Sequence, residues 1–257
     1  MPQFAWLTDI HLNAVDRADR EAFYAELRLL NAEAVLLGGD VGEGYTAPRY
    51  LEELNRVLNC PVYFVLGNHD YYRSSFVRVR EGARSLAELH HNLVYLPAAG
   101  LIRLNSDTAL IGHGGWGDAR LGNFEGSPVK LNDFRLIAEL AGLEGEVLKK
   151  KLHALGDEAG AHIWTWGKRA LAQYHNLYVL MHVPPFAEAC WYEGQAGHPD
   201  WTPHFACGAA GDALRGLAEQ HPHAQIHVLC GHTHHAGVVD VHANVRVHTA
   251  SATYGKP

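Results

Sequence analysis

The chain has 257 residues, of which 47% are hydrophobic and 19% are charged, and its formal net charge is −7. This composition is typical of a globular protein with a large core. The acidic balance argues against tight binding to long nucleic-acid duplexes, which relies on a basic face. The sequence shows neither a signal peptide nor an apolar segment long enough to span a membrane, so we predict a cytoplasmic protein.

Apolar runs and helical periodicity alternate along the first hundred residues. The predicted elements are strands over 4–8, 34–38 and 62–66 and helices over 17–31, 48–58 and 74–91. Repeated strand–helix–strand units are typical of a largely parallel sheet. The sequence therefore predicts an α/β fold.

The rest of the chain continues with further strands and two long helices. These are strands over 93–96, 100–104, 108–113, 177–182, 226–230, 236–242 and 245–249 and helices over 144–174 and 210–220. Pro97 and Gly100 separate the first three strands and indicate a change to antiparallel pairing. Residues 114–135 and 184–208 are predicted to be irregular. Because we find no repeat or linker, residues 1–257 are predicted to form one domain.

The four cysteines have no metal-ligand spacing. None of the four belongs to a CxxC pair, and Cys230 lies in an apolar run. This position favours a small core residue over a metal ligand.

Polar side chains follow five of the predicted buried strands. They are Asp9 with His11, Asp40, Asn68 with His69 and Asp70, His182, and His232 with His234. Because α/β folds bind ligands at the carboxyl ends of strands, we expect these side chains to meet. The members of the pairs Asp9/His11 and His232/His234 are two residues apart. On an extended strand each pair would face one side and chelate one ion.

This set of imidazole, carboxylate and amide groups contains no sulfur and suits two divalent ions, with manganese, iron or zinc favoured. Each group alone has a simpler explanation. A single histidine at a strand end usually makes a hydrogen bond in the core, and Asp40, which follows two glycines, would be a turn former. The recurrence after five apolar runs favours a dinuclear metal site.

The series Asp-x-His, Gly-Asp, Gly-Asn-His-Asp, His and Gly-His-x-His, between residues 9 and 234, resembles the calcineurin-like metallophosphoesterase superfamily. The resemblance implies a four-layer fold, a two-sheet β-sandwich flanked by α-helices. It also implies two metal sites that share one carboxylate. The first metal would be held by Asp9, His11, Asp40 and His234, and the second by Asp40, Asn68, His182 and His232. Glu43 departs from the many relatives that carry Asp there, at a position that is not a ligand.

Two adjacent divalent ions can hold a hydroxide between them and clamp both ends of an in-line displacement. We therefore predict a metal-dependent phosphoric ester hydrolase in which this hydroxide attacks the phosphorus directly. His69 is expected to protonate the leaving oxygen or to stabilise charge on phosphorus, with Asp70 orienting its imidazole. The alternative for His69 is a hydrogen bond across the turn.

Substrate selection is expected to lie in the irregular segments. His113 and the glycines of 114–118 either approach the phosphate or form a turn around Trp116. Four aromatic residues either stack a nucleobase or anchor their loop: Trp191, Tyr192, Trp201 and Phe205. Arg120 and Arg135 are either phosphate clamps or solvated side chains.

The favoured function is hydrolysis of a small phosphomonoester or phosphodiester, preferably of nucleotide type. One rival is a catalytically silent scaffold of the same fold, but such proteins lose ligands and all seven positions are filled here. A second rival is a nuclease, which would need a basic groove that this acidic chain lacks. Fold and metal site alone do not decide the substrate.

Overall fold

The structure is a computed structural model that describes residues 3–257. Its first sheet has four parallel strands in the order β1-β2-β3-β4. The strands are β1 (Phe4–Leu7), β2 (Ala34–Leu37), β3 (Val62–Phe64) and β4 (Leu93–Tyr95). The helices between them are α1 (Arg17–Leu29), α2 (Ala47–Val57) and α3 (Phe76–Leu89). The predicted strand–helix alternation of the first hundred residues is confirmed.

The short elements α4 (Leu96–Ala99) and β5 (Ile102–Arg103) lead into the second sheet. This sheet contains β5, β6 (Thr108–Gly112), β7 (Asn176–Leu180), β10 (Gln225–Cys230), β11 (Gly237–His242) and β12 (Val245–Thr249). Its strand order is β11-β12-β10-β7-β6-β5. The four inner strands are parallel, and the edge strands β5 and β11 are antiparallel to their neighbours.

The predicted antiparallel change over 93–113 is therefore correct only in part. Strand β4 pairs in parallel with β3, and only β5 and β6 form an antiparallel pair in this region. The physical reason is that the chain leaves one sheet after β4 and enters the other at β5. Pattern alone indicates a break at Pro97 and Gly100, but it does not distinguish a hairpin from a change of sheet.

Alternating side chains of the strands build the layers. Leu36 faces the second sheet and packs near Leu110 and Leu229, whereas Val35 and Leu37 pack against α1 and α2. Helices α6 (Gly145–Leu171) and α8 (Gly208–Gln220) cover the other side of the second sheet. The result is two sheets packed face to face with helices outside, as the predicted fold class requires.

The two segments predicted to be irregular contain short elements. Residues 114–135 lead into α5 (Asp133–Leu136), and 184–208 contains β8 (Trp191–Tyr192), β9 (Gln195–Ala196) and α7 (Thr202–Phe205). Strands β8 and β9 form a hairpin. Cys230 is fully buried in the core, as predicted. No helix among residues 3–257 is long and apolar enough to cross a membrane.

Candidate metal centre

The five polar segments all follow the carboxyl ends of strands, three in the first sheet and two in the second. Packing of the two sheets face to face brings these ends together. The structure gathers all seven predicted ligands in one cluster, in which six are buried and His234 is partly exposed: Asp9, His11, Asp40, Asn68, His182, His232 and His234. Their assignment as metal ligands stays a prediction.

The first predicted set of ligands joins the two ends of the sequence. Nε2 of His234 lies 3.3 Å from Oδ1 of Asp9 and 3.2 Å from Nε2 of His11. Nε2 of His11 also lies 3.6 Å from Oδ2 of Asp40. Asp9, His11 and His234 therefore each offer a ligand atom within 4.8 Å of the others, with Asp40 beside His11, and a cation needs such a grouping.

The second predicted set continues from the same carboxylate. Oδ2 of Asp40 lies 3.6 Å from Nε2 of His182, which in turn is 3.0 Å from Oδ1 of Asn68. The His232 ring lies beside that of His182, with centroids 4.9 Å apart. Asp40 is thus placed between the two sets, where a carboxylate with two oxygens can serve both ions.

The backbone of the cluster is unusual. Five of the seven predicted ligands have positive φ angles: Asp9 (53°), His11 (38°), Asp40 (51°), His232 (67°) and His234 (58°). L-residues in this left-handed region are strained by about 1–3 kcal/mol each, and such strain concentrates at functional sites. The predicted same-side geometry on extended strands is therefore wrong. Strands β1 and β10 end at Leu7 and Cys230, and turns bring the paired side chains together instead.

Two glycines allow the segments to approach one another. A Cβ atom at Gly231 would overlap Oδ2 of Asp9, and one at Gly67 would overlap Oδ1 of Asp40. Any larger residue at either position would displace a carboxylate of the cluster.

The charges of the cluster indicate whether it suits cations. Asp9, Asp40 and Asp133 are at most 3% exposed, and no lysine or arginine among residues 3–257 forms an ion pair with them. Burial and the neighbouring Asp9 carboxylate raise the pKa of Asp40 well above its ordinary value. Burial opposes ionisation of Asp9, but His182, His234 and Thr8 together lower its pKa. Two divalent cations would supply the missing positive charge, so the donor set fits them.

Hydrogen bonds to carbonyl oxygens orient the imidazoles of His182 and His232. Nδ1 of His182 lies 3.0 Å from the carbonyl oxygen of Gly38 and Nε2 of His232 lies 3.4 Å from that of His204. A ring nitrogen that donates to a carbonyl leaves the other nitrogen with its lone pair free. Burial lowers the pKa of both histidines, which keeps them neutral as ligands must be.

His69 and Asp70 differ in their contacts from the sequence prediction. The Asp70 carboxylate is fully buried and accepts backbone N–H bonds from Asp40, Val41, Gly42 and Gly67. It therefore holds two ligand-bearing turns together and does not orient the His69 imidazole. Nε2 of His69 instead lies 3.4 Å from the Tyr254 hydroxyl.

Three residues at the cluster were missed by sequence analysis. Asp133 accepts hydrogen bonds from Asn68 and Tyr72, and Tyr254 places its ring 4.3 Å from that of His11. The three residues are Asp133 in segment 114–135, Tyr72 two positions after the Gly-Asn-His-Asp motif, and Tyr254 near residue 257. A lone Asp or Tyr in a polar stretch carries no pattern that distinguishes it from a surface residue.

A cavity of about 710 Å³ opens beside the cluster. Asp40, Asn68, His69, His232 and His234 line one part of it. The four predicted aromatic residues line another part: Trp191, Tyr192, Trp201 and Phe205. Phe205 stacks on His232, with ring centroids 4.4 Å apart, so the aromatic wall begins at the cluster itself.

The other predicted substrate contacts lie elsewhere. His113 is buried against His162, and Trp116 packs on Phe76, which fits the alternative of a turn around a packed Trp. Arg120 is not free to clamp a phosphate, because it pairs with Asp118 and Asp157. Arg135 lines a separate cavity of about 680 Å³, whereas Lys130 lines both cavities.

Comparison with known sequences shows the family of the chain. The sequence model of the calcineurin-like phosphoesterases matches residues 2–236, which include all seven predicted ligands. No curated protein matches the sequence.

Solved structures that share the fold include the following three. Phosphopantetheinyl hydrolase from Mycobacterium tuberculosis is 14% identical, with a TM-score of 0.71, and the match covers 99% of this chain and 90% of that one. A dimetal phosphatase from Danio rerio is also 14% identical, with a TM-score of 0.56 and coverages of 100% and 89%. A putative 5′-nucleotidase from Staphylococcus aureus is 11% identical, with a TM-score of 0.52 and coverages of 96% and 48%. At these identities the likeness concerns the fold.

Proposed function

The chain belongs to the calcineurin-like phosphoesterase family and is a metal-dependent phosphoric ester hydrolase, and we propose that it cleaves small phosphomonoesters or phosphodiesters of nucleotide type. The observation that carries this proposal is the position of the cavity. One part of its wall is the cluster of predicted ligands and another is aromatic. A substrate could therefore place its phosphate at the cluster and a planar leaving group against the aromatic residues.

We assign Asp9, His11, Asp40 and His234 to the first ion and Asp40, Asn68, His182 and His232 to the second. Two divalent cations bound there would neutralise phosphate charge and lower the pKa of a water molecule that attacks phosphorus. Manganese, iron and zinc all suit the donor set. With attack by water there is no need for a covalent enzyme intermediate.

His69 is the residue we assign to the leaving group. His69 lines the cavity beside Asp40. Among the described residues, the hydrogen-bond partner of its Nε2 atom is the Tyr254 hydroxyl. Burial lowers the pKa of His69 to about 4, so its imidazole is neutral at pH 7 and presents an N–H donor. A bound phosphate dianion would raise this pKa and favour proton donation to the leaving oxygen.

The aromatic wall supports a planar leaving group. Trp201 and Tyr192 are 50% and 63% exposed, so part of each side chain is open to a ligand. Stacking of a nucleobase on an aromatic side chain contributes about 1–3 kcal/mol. Lys130 is the one lysine or arginine among the described residues that line the cavity, which favours a substrate with a single phosphate group.

The test is hydrolysis of p-nitrophenyl phosphate and bis-p-nitrophenyl phosphate by metal-free protein reloaded in turn with Mn, Fe, Zn, Mg and Co. Turnover that requires metal and is lost in Asp40→Asn would support the proposal, and the preferred compound would distinguish monoester from diester chemistry. Nucleoside monophosphates and cyclic nucleotides are tested next against glycerol phosphate. Two bound ions without turnover of any of these compounds would favour the scaffold function instead.

A further inference from the structure

We propose that Asp133 is a positioning residue that orients the Asn68 amide toward the second metal site and supports the His69 imidazole through Tyr72. This inference rests on the proposed ligand set. Asp133 follows none of the five strands and belongs to no metal-binding motif. It begins the short helix α5 and is 3% exposed.

The first contact fixes the direction of the amide. Nδ2 of Asn68 donates to Oδ1 of Asp133 over 2.9 Å, and Oδ1 of Asn68 faces Nε2 of His182 at 3.0 Å. A carboxylate only accepts hydrogen bonds, so it selects the NH2 end of the amide. The oxygen is then left for the cation. In the reversed amide, the NH2 group would point at the metal and the carbonyl oxygen at the carboxylate.

The second contact involves the same carboxylate oxygen. The Tyr72 hydroxyl donates to Oδ1 of Asp133 over 2.7 Å, and the Tyr72 ring packs on His69 with centroids 4.3 Å apart. Asp133 thus connects a predicted ligand with the predicted proton donor. It lies more than 60 positions from both of its partners in the sequence, so the 114–135 segment contributes a support to the metal centre.

Three substitutions separate orientation from packing. Asp133→Leu keeps the branched shape of Asp, although it is larger, and accepts no hydrogen bond. Asp133→Asn keeps an oxygen in the place of Oδ1, which can still accept from Asn68 and Tyr72. Tyr72→Phe removes the donor to Asp133 and the longer contact in which Nδ2 of Asn68 donates to the Tyr72 hydroxyl over 3.3 Å, but it leaves the Asn68–Asp133 bond and keeps the ring on His69.

The measurement is titration of metal-free protein with Mn²⁺ or Zn²⁺ by calorimetry, with bound metal counted after equilibrium dialysis. Removal of a residue that orients a ligand typically weakens metal binding about 10–100-fold. We expect this loss at one of two sites in Asp133→Leu, and affinities within about threefold of wild type in Asp133→Asn and Tyr72→Phe.

Two results would overturn the inference. One is an Asp133→Leu protein that binds both ions as wild type does. The other is an Asp133→Asn protein that loses the second ion as completely as Asp133→Leu, since the acceptor is still present there. If Asp133→Leu does not fold, Asp133→Asn still provides this second test. Because binding is measured without turnover, a wild type that binds two ions but cleaves no ester would refute only the proposed function.

Discussion

The Nε2 atoms of His11 and His234 lie 3.2 Å apart, although 223 positions separate the two residues in the sequence. At this distance one neutral imidazole can donate to the other, or both can direct a lone pair at a shared cation. The Asp9 carboxylate beside His234 and the Asp40 carboxylate beside His11 favour the cation. The pair is therefore the part of the cluster that most directly suits a metal.

Replacement of Asp40 by Asn should lower activity more than about 100-fold, which is the upper effect of losing a residue that merely supports a ligand. The reason is that Oδ2 of Asp40 is 3.6 Å from a histidine of each set, so both ions should bind more weakly. Turnover and metal content measure the two effects. Asp240→Asn is the matched control, because Asp240 is exposed and pairs only with Arg246. Wild-type turnover in Asp40→Asn would refute the metal assignment.

Replacement of His69 by Asn should lower kcat about 10²–10⁴-fold, the usual contribution of a general acid, without loss of bound metal. His69 lies near His11 and Asp40, so a metal count on the same samples is essential. Loss of an ion would make His69 a ligand rather than a proton donor. His91→Asn, at an exposed position, controls for the loss of an imidazole.

Replacement of Trp201 by Ala should raise KM about 5–150-fold for an ester with an aromatic or nucleobase leaving group, which corresponds to about 1–3 kcal/mol of lost stacking. KM for glycerol phosphate should not change. Trp201→Phe should recover most of the affinity. Tyr45→Ala, which removes an aromatic ring that is 81% exposed and outside the cavity, should have no effect. An equal change for both substrates would exclude a stacking role.

Acid should destabilise the metal-free protein partly through His113. Burial lowers the pKa of His113 from an ordinary value of 6.5 to about 3 in the folded state. Between these values the unfolded chain binds the proton and the folded one does not, so stability falls as the pH falls. The slope for one such group is about 1.4 kcal/mol per pH unit. When the free energy of urea unfolding is measured from pH 6 to 4, its slope against pH should be smaller in His113→Gln by about this amount.

Replacement of Asp70 by Asn should lower the free energy of unfolding by about 3 kcal/mol or more. The reason is that an NH2 group would take the place of a carboxylate oxygen that now accepts hydrogen bonds from backbone N–H groups. Urea unfolding measures this loss, and we expect a single transition if residues 1–257 form one domain. Asp212→Asn, at an exposed helix position, is the control. An unchanged midpoint would show that the four N–H bonds contribute little.

Much of the fold could be predicted because buried parallel strands are short apolar runs. Phe4–Leu7, Ala34–Leu37 and Gln225–Cys230 lie where the hydrophobic pattern placed strands. The division of the strands between two sheets could not be read in the same way. Leu93–Tyr95 and Thr108–Gly112 have similar composition, and only long-range packing assigns them to different sheets.

The residues of the cluster were predictable in type but not in geometry. Asp9 and His234 belong to motifs, whereas the left-handed turns that aim them leave no trace in residue spacing. Asp133 was missed because its role depends on two hydrogen bonds across more than 60 residues. The Asp70 contact was mispredicted because adjacency to His69 suggested a partner, while the turn directs its carboxylate inward.

The proposed first metal site also constrains biosynthesis. Its ligands begin at Asp9 and finish at His234, so a growing chain cannot complete the site until the 226 residues from 9 to 234 have left the ribosome. The amino-terminal sheet must then persist without the ion while the second sheet is translated. Metal capture would consequently be a late event, and a chain truncated before His234 would lack the means to retain the first ion.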